Sequence, residues 1–266
     1  MSTTKNRQVK EIVKCGKDPV YFLNKYVKIQ HPTRGLIPFE TFDFQDTTLD
    51  DFREHRFNIV LKSRQLGIST LTACYAVWLA CFYKDKNVLV IATKLAVAQN
   101  FIKKVKTAMR SMPSWLMLPD VVSQNKQGIE LSNGSTIKAV PTSDDAGRSE
   151  ALSLLIVDEA AFIRNFEELW MGLYSTLSTG GRAIIVSTPN GVGDKYHELC
   201  VQAENKENEF NFIKLMWDVH PERDDNWFNN ETKNMSKKQI AQELMCDFAA
   251  SGDTFLNNDQ LEKLAM

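Results

Sequence analysis

From Phe57 onward the chain alternates short apolar runs with stretches of helical period, and this alternation limits the fold more than any other feature. "NIVLKS", "NVLVIAT", "LSLLIVDEAAF" and "RAIIVSTPNG" carry apolar residues at consecutive positions, not at every second one. Strands of that kind are buried on both faces. Ser69 to Tyr83 and "LAVAQNFIKKVKTAM" lie between them as helices. Strands alternating with helices predict an α/β fold, a largely parallel sheet with helices on both faces. "GIELSNGSTIKAVP" reads as a hairpin about Asn133-Gly134, a turn pair favoured by positive φ. "FNFIKLMW" reads as a further strand. The first fifty residues read as a helix near Asn6–Cys15, a second near Pro19–Tyr26, and then loop. "SKKQIAQELMCDF" reads as one amphipathic helix, with Ile240, Leu244 and Phe248 at helical spacing.

The 266 residues suffice for one large domain or for a domain with a small subdomain. Hydrophobic residues make up 43% and charged residues 24%, as in globular proteins. No apolar run reaches membrane-spanning length, and the N-terminus lacks an apolar signal core. The five cysteines include no C-x-x-C pair, so neither a disulfide framework nor a zinc site is indicated. The expected compartment is cytoplasmic. A net charge of −1 argues against a stable sequence-independent DNA binder and leaves room for a transient grip on a local patch. "FIKKVKTAMR" is a basic helix face that suits DNA contact or simple solvation, with solvation the default.

In sheets of this kind ligands bind beyond the carboxyl ends of the strands. Three polar motifs stand at such ends. The first, "KSRQLGIST", comprises Lys62, Ser63, Arg64, Gln65, Leu66, Gly67, Ile68, Ser69 and Thr70. It is close to the phosphate loop G-x-x-x-x-G-K-[ST]. Gly67 is in place and Ser69 stands at the magnesium-binding hydroxyl, but Ile68 fills the lysine slot and Lys62 the first-glycine slot. Backbone N–H groups and a helix N-terminus cradle phosphates whatever the side chains are. Lys62 could supply the missing ammonium from the loop's start, and Arg64 adds a second cation. The alternative is an ordinary strand-to-helix turn with surface cations.

The second motif, "LLIVDEA", releases Asp158 and Glu159 from a buried strand. In nucleotide hydrolases the first acid holds magnesium and the second orients and deprotonates the attacking water. The competing explanation is the acid preference of a helix's first turn. The third, "STPNG", offers Ser187, Thr188 and Asn190 to sense a terminal phosphate; a Pro-Asn-Gly turn explains it equally.

Together these stretches resemble the ATPase domain of the tailed-bacteriophage terminase large subunit, the motor that packages DNA into capsids, and the T-even branch in particular. That branch's loop reads S-R-Q-x-G-K-[ST], against "SRQLGIST" here. The "VDEAAFI" acids, the "STPNG" coupling motif and an upstream "FDFQ" follow the same pattern, over nearly the whole chain. Lambda-type terminases similarly lack the loop lysine and carry one at the loop's start, as Lys62 does.

The resemblance implies a P-loop NTPase fold of the ASCE, RecA-like kind, with a core at 51–216. It also implies a small subdomain built from 1–50 and 217–266 beside the nucleotide cleft. ATP is the implied substrate and Mg2+ the implied cofactor, with Ser69 and Asp158 as metal ligands and Gln45 reading the adenine edge. The implied partners are double-stranded DNA, the portal protein and the small terminase subunit. The implied setting is the procapsid portal vertex in the host cytoplasm, with a homo-oligomeric ring when assembled and a monomer in isolation. "CDFAASGDTFL" looks like the family's domain junction, so no nuclease activity is expected of this chain. Arg148, in "TSDDAGRSEA", matches an arginine that completes a neighbouring subunit's site; pairing with Asp144, Asp145 or Glu150 is the rival explanation. Two other readings stay open: a fragment of a two-domain helicase, and an inactive assembly module motivated by Ile68.

Overall fold

The structure, a computed structural model, describes residues 3–142 and 151–251. Its strands are β1 (Lys28–His31), β2 (Gly35–Pro38), β3 (Phe57–Lys62), β4 (Asn87–Ala92), β5 (Val121–Gln124), β6 (Gly128–Leu131), β7 (Thr136–Pro141), β8 (Leu154–Asp158), β9 (Arg182–Ser187) and β10 (Phe210–Leu215). The α-helices are α1 (Thr3–Lys17), α2 (Pro19–Tyr26), α3 (Asp43–Glu54), α4 (Ile68–Phe82), α5 (Leu95–Ser111), α6 (Phe166–Thr176), α7 (Lys195–Glu204), α8 (Asp225–Glu231), α9 (Lys237–Glu243) and α10 (Phe248–Ser251).

Eight strands form one sheet in the order β10-β3-β9-β8-β4-β7-β6-β5. The first six pair in parallel, and β6 and β5 add antiparallel at one edge. This is the mostly parallel, helix-flanked sheet of P-loop NTPases. The consecutive apolar residues of its strands divide between two cores with a period of two. Val60, Leu154, Ile156 and Val186 face one side, with α4 and α5. Ile59, Leu61, Leu155 and Val157 face the other, with α6 and α7.

The first core also takes Cys15, Phe22, Leu23, Leu49 and Phe52 from the N-terminal helices. All five cysteines are buried free thiols. No helix of the described residues is long and apolar enough to cross a membrane.

Three elements differ from the sequence reading. The segment read as loop after Tyr26 holds the β1–β2 hairpin and α3. Strand β5 extends the predicted hairpin by a third strand, and all four of its residues are exposed. The predicted C-terminal helix is broken: α9 ends at Glu243, Cys246 adopts φ 53°, and α10 starts anew at Phe248. The break turns the Cys246 side chain into the second core.

Tyr196 of α7 crosses the second core to donate its hydroxyl to the carbonyls of Val60 (2.8 Å) and Ser187 (3.2 Å), joining the ends of β3 and β9. Tyr196→Phe removes a buried donor and leaves the ring in place. The expected cost is about 1–2 kcal/mol, seen as a lower Tm with unchanged secondary structure by circular dichroism. An unchanged Tm would show that the hydroxyl holds nothing together.

Candidate active site

Parallel pairing brings the tips of β3, β9 and β8 side by side. Leu61 stands opposite Ser187, and Val186 opposite Asp158. The polar residue that follows each apolar run therefore emerges at one edge of the sheet, and β9 lies between the loop-bearing strand and the acid-bearing strand.

The loop leaves β3 at Lys62 and enters α4 at Ile68. Gly67 takes φ 76°, and a Cβ there would lie 2.8 Å from Nε2 of Gln45. Glycine is thus required twice, for its conformation and for the close approach of α3. Gln65 (φ 58°) and Glu159 (φ 58°) also lie in the left-handed region. That conformation is costly for a side-chain-bearing residue and concentrates at functional sites.

Ser69 Oγ donates to Asp158 Oδ1 at 3.1 Å. Lys62 Nζ donates to Glu159 Oε1 at 3.1 Å, with the lysine side chain 7% exposed and the glutamate 33%. Burial raises the pKa of Asp158, and the neighbouring Glu159 raises it further; Lys62, Lys104 and the Ser69 hydroxyl oppose them. Two oxygen donors side by side suit a hard cation that keeps water and phosphate among its ligands, as magnesium does. Among the described residues no cluster of three His, Cys, Asp or Glu side chains could form an all-protein cage. The residues present therefore fit magnesium bound together with a nucleotide.

Two cavities flank the loop. One, of about 510 Å³, is lined by Ser69, Thr70, Asn100, Lys104, Asp158 and Glu159. The other, of about 490 Å³, is lined by Phe39, Phe42, Gln45, Gly67, Thr70 and His220. The Phe42 ring lies 4.5 Å from His220 and 5.9 Å from Phe44. Gln45 itself is 3% exposed. Its Oε1 accepts from Phe42 N (3.2 Å) and its Nε2 donates to Leu66 O (2.9 Å), which ties the start of α3 to the loop.

The "STPNG" stretch is hydrogen-bonded to the turn that follows the acids. Ser187 and Thr188 are buried. Ser187 Oγ accepts from Ala161 N, in the turn after the acids, and Asn190 Nδ2 donates to Ala161 O, both at 3.1 Å. Arg64 is mostly exposed and pairs with Glu243 at 3.6 Å. Ile68 is buried in the first core. Arg148 lies outside the described residues.

Several residues absent from the sequence-based site turn out to hold it. Glu243 O accepts from Arg64 N (2.8 Å) and Ser63 Oγ (3.0 Å). The Arg223 guanidinium donates to the carbonyls of Arg64 (3.2 Å) and Gln65 (2.9 Å) while stacking on Trp227. The start of the loop is thus engaged from behind, through the Arg64 N–H as well as through these carbonyls. Gln242 Nε2 donates to Asn190 Oδ1 at 3.2 Å. A backbone carbonyl carries no sequence signature. An arginine after "HPE" carries only a weak one.

A glycine-bearing loop between a parallel strand and a helix, faced by an acid pair one strand removed, defines a P-loop nucleotide hydrolase. The chain belongs to the family of terminase large subunits, T4likevirus-type, N-terminal, whose model matches residues 59–263. Its fold is that of large-terminase ATPase domains. The ATPase domain of the Thermus phage P74-26 large terminase superposes with a TM-score of 0.65 at 21% identity, over 79% of this chain and 95% of that one. A large terminase from a thermophilic bacteriophage, in complex with ADP, gives 0.64 at 11%, over 78% of this chain and 53% of that one. The HK97 bacteriophage large terminase gives 0.62 at 14%, over 94% and 50%. The chain thus spans about half the length of these last two proteins.

Because folding raises the pKa of Asp158, the folded chain holds this proton more tightly than the unfolded one. Its contribution to stability is therefore lost as pH rises from the ordinary carboxylate range through the raised value. Asp158→Asn removes that loss. In the absence of nucleotide the variant should gain Tm relative to wild type, and the gain should widen with rising pH. A difference in Tm independent of pH would contradict this.

Proposed function

We propose that this chain hydrolyses ATP with magnesium and that the hydrolysis drives translocation of double-stranded DNA into a viral procapsid. The observation that carries the reading is the double contact between loop and strand tip: Ser69 to Asp158 and Lys62 to Glu159. The triphosphate would lie on the N–H groups of residues 65–69, with the base in the cavity walled by Phe42 and His220 and the edge of Gln45 beside it. Magnesium, when bound, would neutralise charge on the phosphates from Ser69 and Asp158.

Glu159 would take a proton from water as its oxygen attacks the terminal phosphorus, breaking the bond to ADP and releasing phosphate. Lys62 gives this step a built-in restraint. Its ammonium is paired with Glu159. A terminal phosphate would compete for the same ammonium, and its arrival would free the carboxylate to orient water. Ser187, Thr188 and Asn190 would report loss of the phosphate through Ala161 and Gln242. The small subdomain beside the nucleotide cleft is proposed to be residues 1–50 with 217–266.

Portal protein and small terminase subunit are the proposed partners. The proposed setting is the portal vertex in the host cytoplasm, with the subunits in a ring. The helicase reading lacks the support of the family match. The inactive-module reading has only Ile68 in its favour.

Glu159→Gln keeps an acceptor for Lys62 but cannot take a proton. It should bind ATP with near wild-type affinity and turn over about a hundredfold more slowly or worse. Lys62→Ala should lose turnover to a similar degree. Wild-type turnover in both variants would remove the pair from the mechanism.

Arg148 is proposed as the finger that completes a neighbour's site. Specific activity should then rise with protein concentration, and Arg148→Ala should abolish the rise. A mixture of Arg148→Ala and Glu159→Gln should recover activity, since one interface joins an intact finger to an intact base. Failure to recover, where wild type assembles, would sink the role in trans.

A further inference from the structure

Helix α5 carries Lys103, Lys104, Lys106 and Arg110, and their surroundings differ. Arg110 is exposed, Lys103 is exposed at the margin of the 510 Å³ cavity, and Lys106 donates to the carbonyl of Asn125. Lys104 differs. Phe101 and Ala108, three residues before it and four after, are both buried, so it stands on the inward half of the helix. Its side chain lines the 510 Å³ cavity together with Ser69, Thr70, Asp158 and Glu159. Burial works against its ammonium, and the field of Asp158 favours it. It has no hydrogen bond or ion-pair partner among the described residues.

The charge balance of this cavity explains why a lysine would stand there. Asp158 and Glu159 bring two negative charges; Lys62 bonds to Glu159, and its single charge also acts on Asp158. Arg64 points to Glu243 and is not part of the lining. Ile68, where a loop lysine would stand, is packed in the core. A triphosphate entering beside the acids would meet too little positive charge from the loop alone.

We propose that Lys104 reaches across the cavity from α5 and binds the terminal phosphate, taking over from the far wall the part of the loop lysine missing at position 68. The proposal rests on the ATP-hydrolase reading of the same site. Lys62 keeps its place at the loop's start. The two ammonium groups would then hold the phosphate from opposite sides, one exchanged from Glu159 and one from the cavity wall.

The test is the affinity of the intact chain, with magnesium, for fluorescent derivatives of ATP-γ-S and of ADP. Lys104→Met keeps the apolar stem and removes the charge. It should lose about tenfold to a hundredfold in ATP-γ-S affinity, the worth of a charge-assisted contact. Its ADP affinity should stay within about threefold of wild type, and Lys104→Arg should restore the difference. Should Lys104→Met not fold, as judged by circular dichroism, Lys104→Gln is read in the same way. A wild-type ratio of the two affinities in the uncharged variant overturns the proposal, as does an equal loss of both nucleotides. Failure of wild type to bind either nucleotide would strike the ATP-hydrolase reading itself; binding by wild type with no change in the variant strikes only Lys104.

Discussion

The ion pair of Lys62 with Glu159 joins two strand tips that are not neighbours in the sheet, and the site depends on it. β9 lies between them, so the pair forms only if both parallel registers are correct. A slip of one residue in either would turn the side chain toward the opposite face. The lysine is nearly buried, and its partner is one-third exposed. Removing the glutamate would strand a buried ammonium, which is costly; removing the lysine would leave a carboxylate that water can still reach. The asymmetry suits a device in which the lysine stays and exchanges partners.

The back of the loop is held as firmly as its front. Glu243 O, the Arg223 guanidinium and Leu215 O, which accepts from Ser63 N at 2.7 Å, fix the loop's backbone from the C-terminal side. Gln242 ties the same segment to Asn190, and Ser251 Oγ accepts from Gly191 N at 2.9 Å. Phosphate loop, coupling motif and C-terminal segment therefore share one hydrogen-bond network. A shift of either motif on loss of phosphate would have a continuous path into residues 217–251.

Much of this was legible in the sequence, for physical reasons. Strands buried on both faces announce themselves as apolar runs, and their polar last residues become the site because the strands run parallel. What escaped had no such pattern. β1 and β2 have four residues each, too few to show a period. β5 is exposed throughout and offers no apolar stripe. In α3, Leu49 and Phe52 are buried among many acids, and two of the inward positions are Gln45 and Thr48. The break at Cys246 falls at a residue with φ 53° that is neither glycine nor proline, so propensity gave no warning. In the candidate site, the loop, the acid pair and the "STPNG" residues were legible by type and spacing as polar ends of buried strands. Their surroundings were not: Glu243 acts through its carbonyl, and Lys104, which lines the cavity, was hidden in a run of cations that read as a solvated face.

The most direct measurement is a crystal structure of the chain with magnesium and a non-hydrolysable ATP analogue. The expected result has the phosphates on the N–H groups of residues 65–69, the metal between Ser69 and Asp158, and Lys62 Nζ moved from Glu159 to a phosphate oxygen. A nucleotide bound elsewhere, or Lys62 still paired with Glu159 beneath a bound triphosphate, would contradict the exchange on which the proposed mechanism turns.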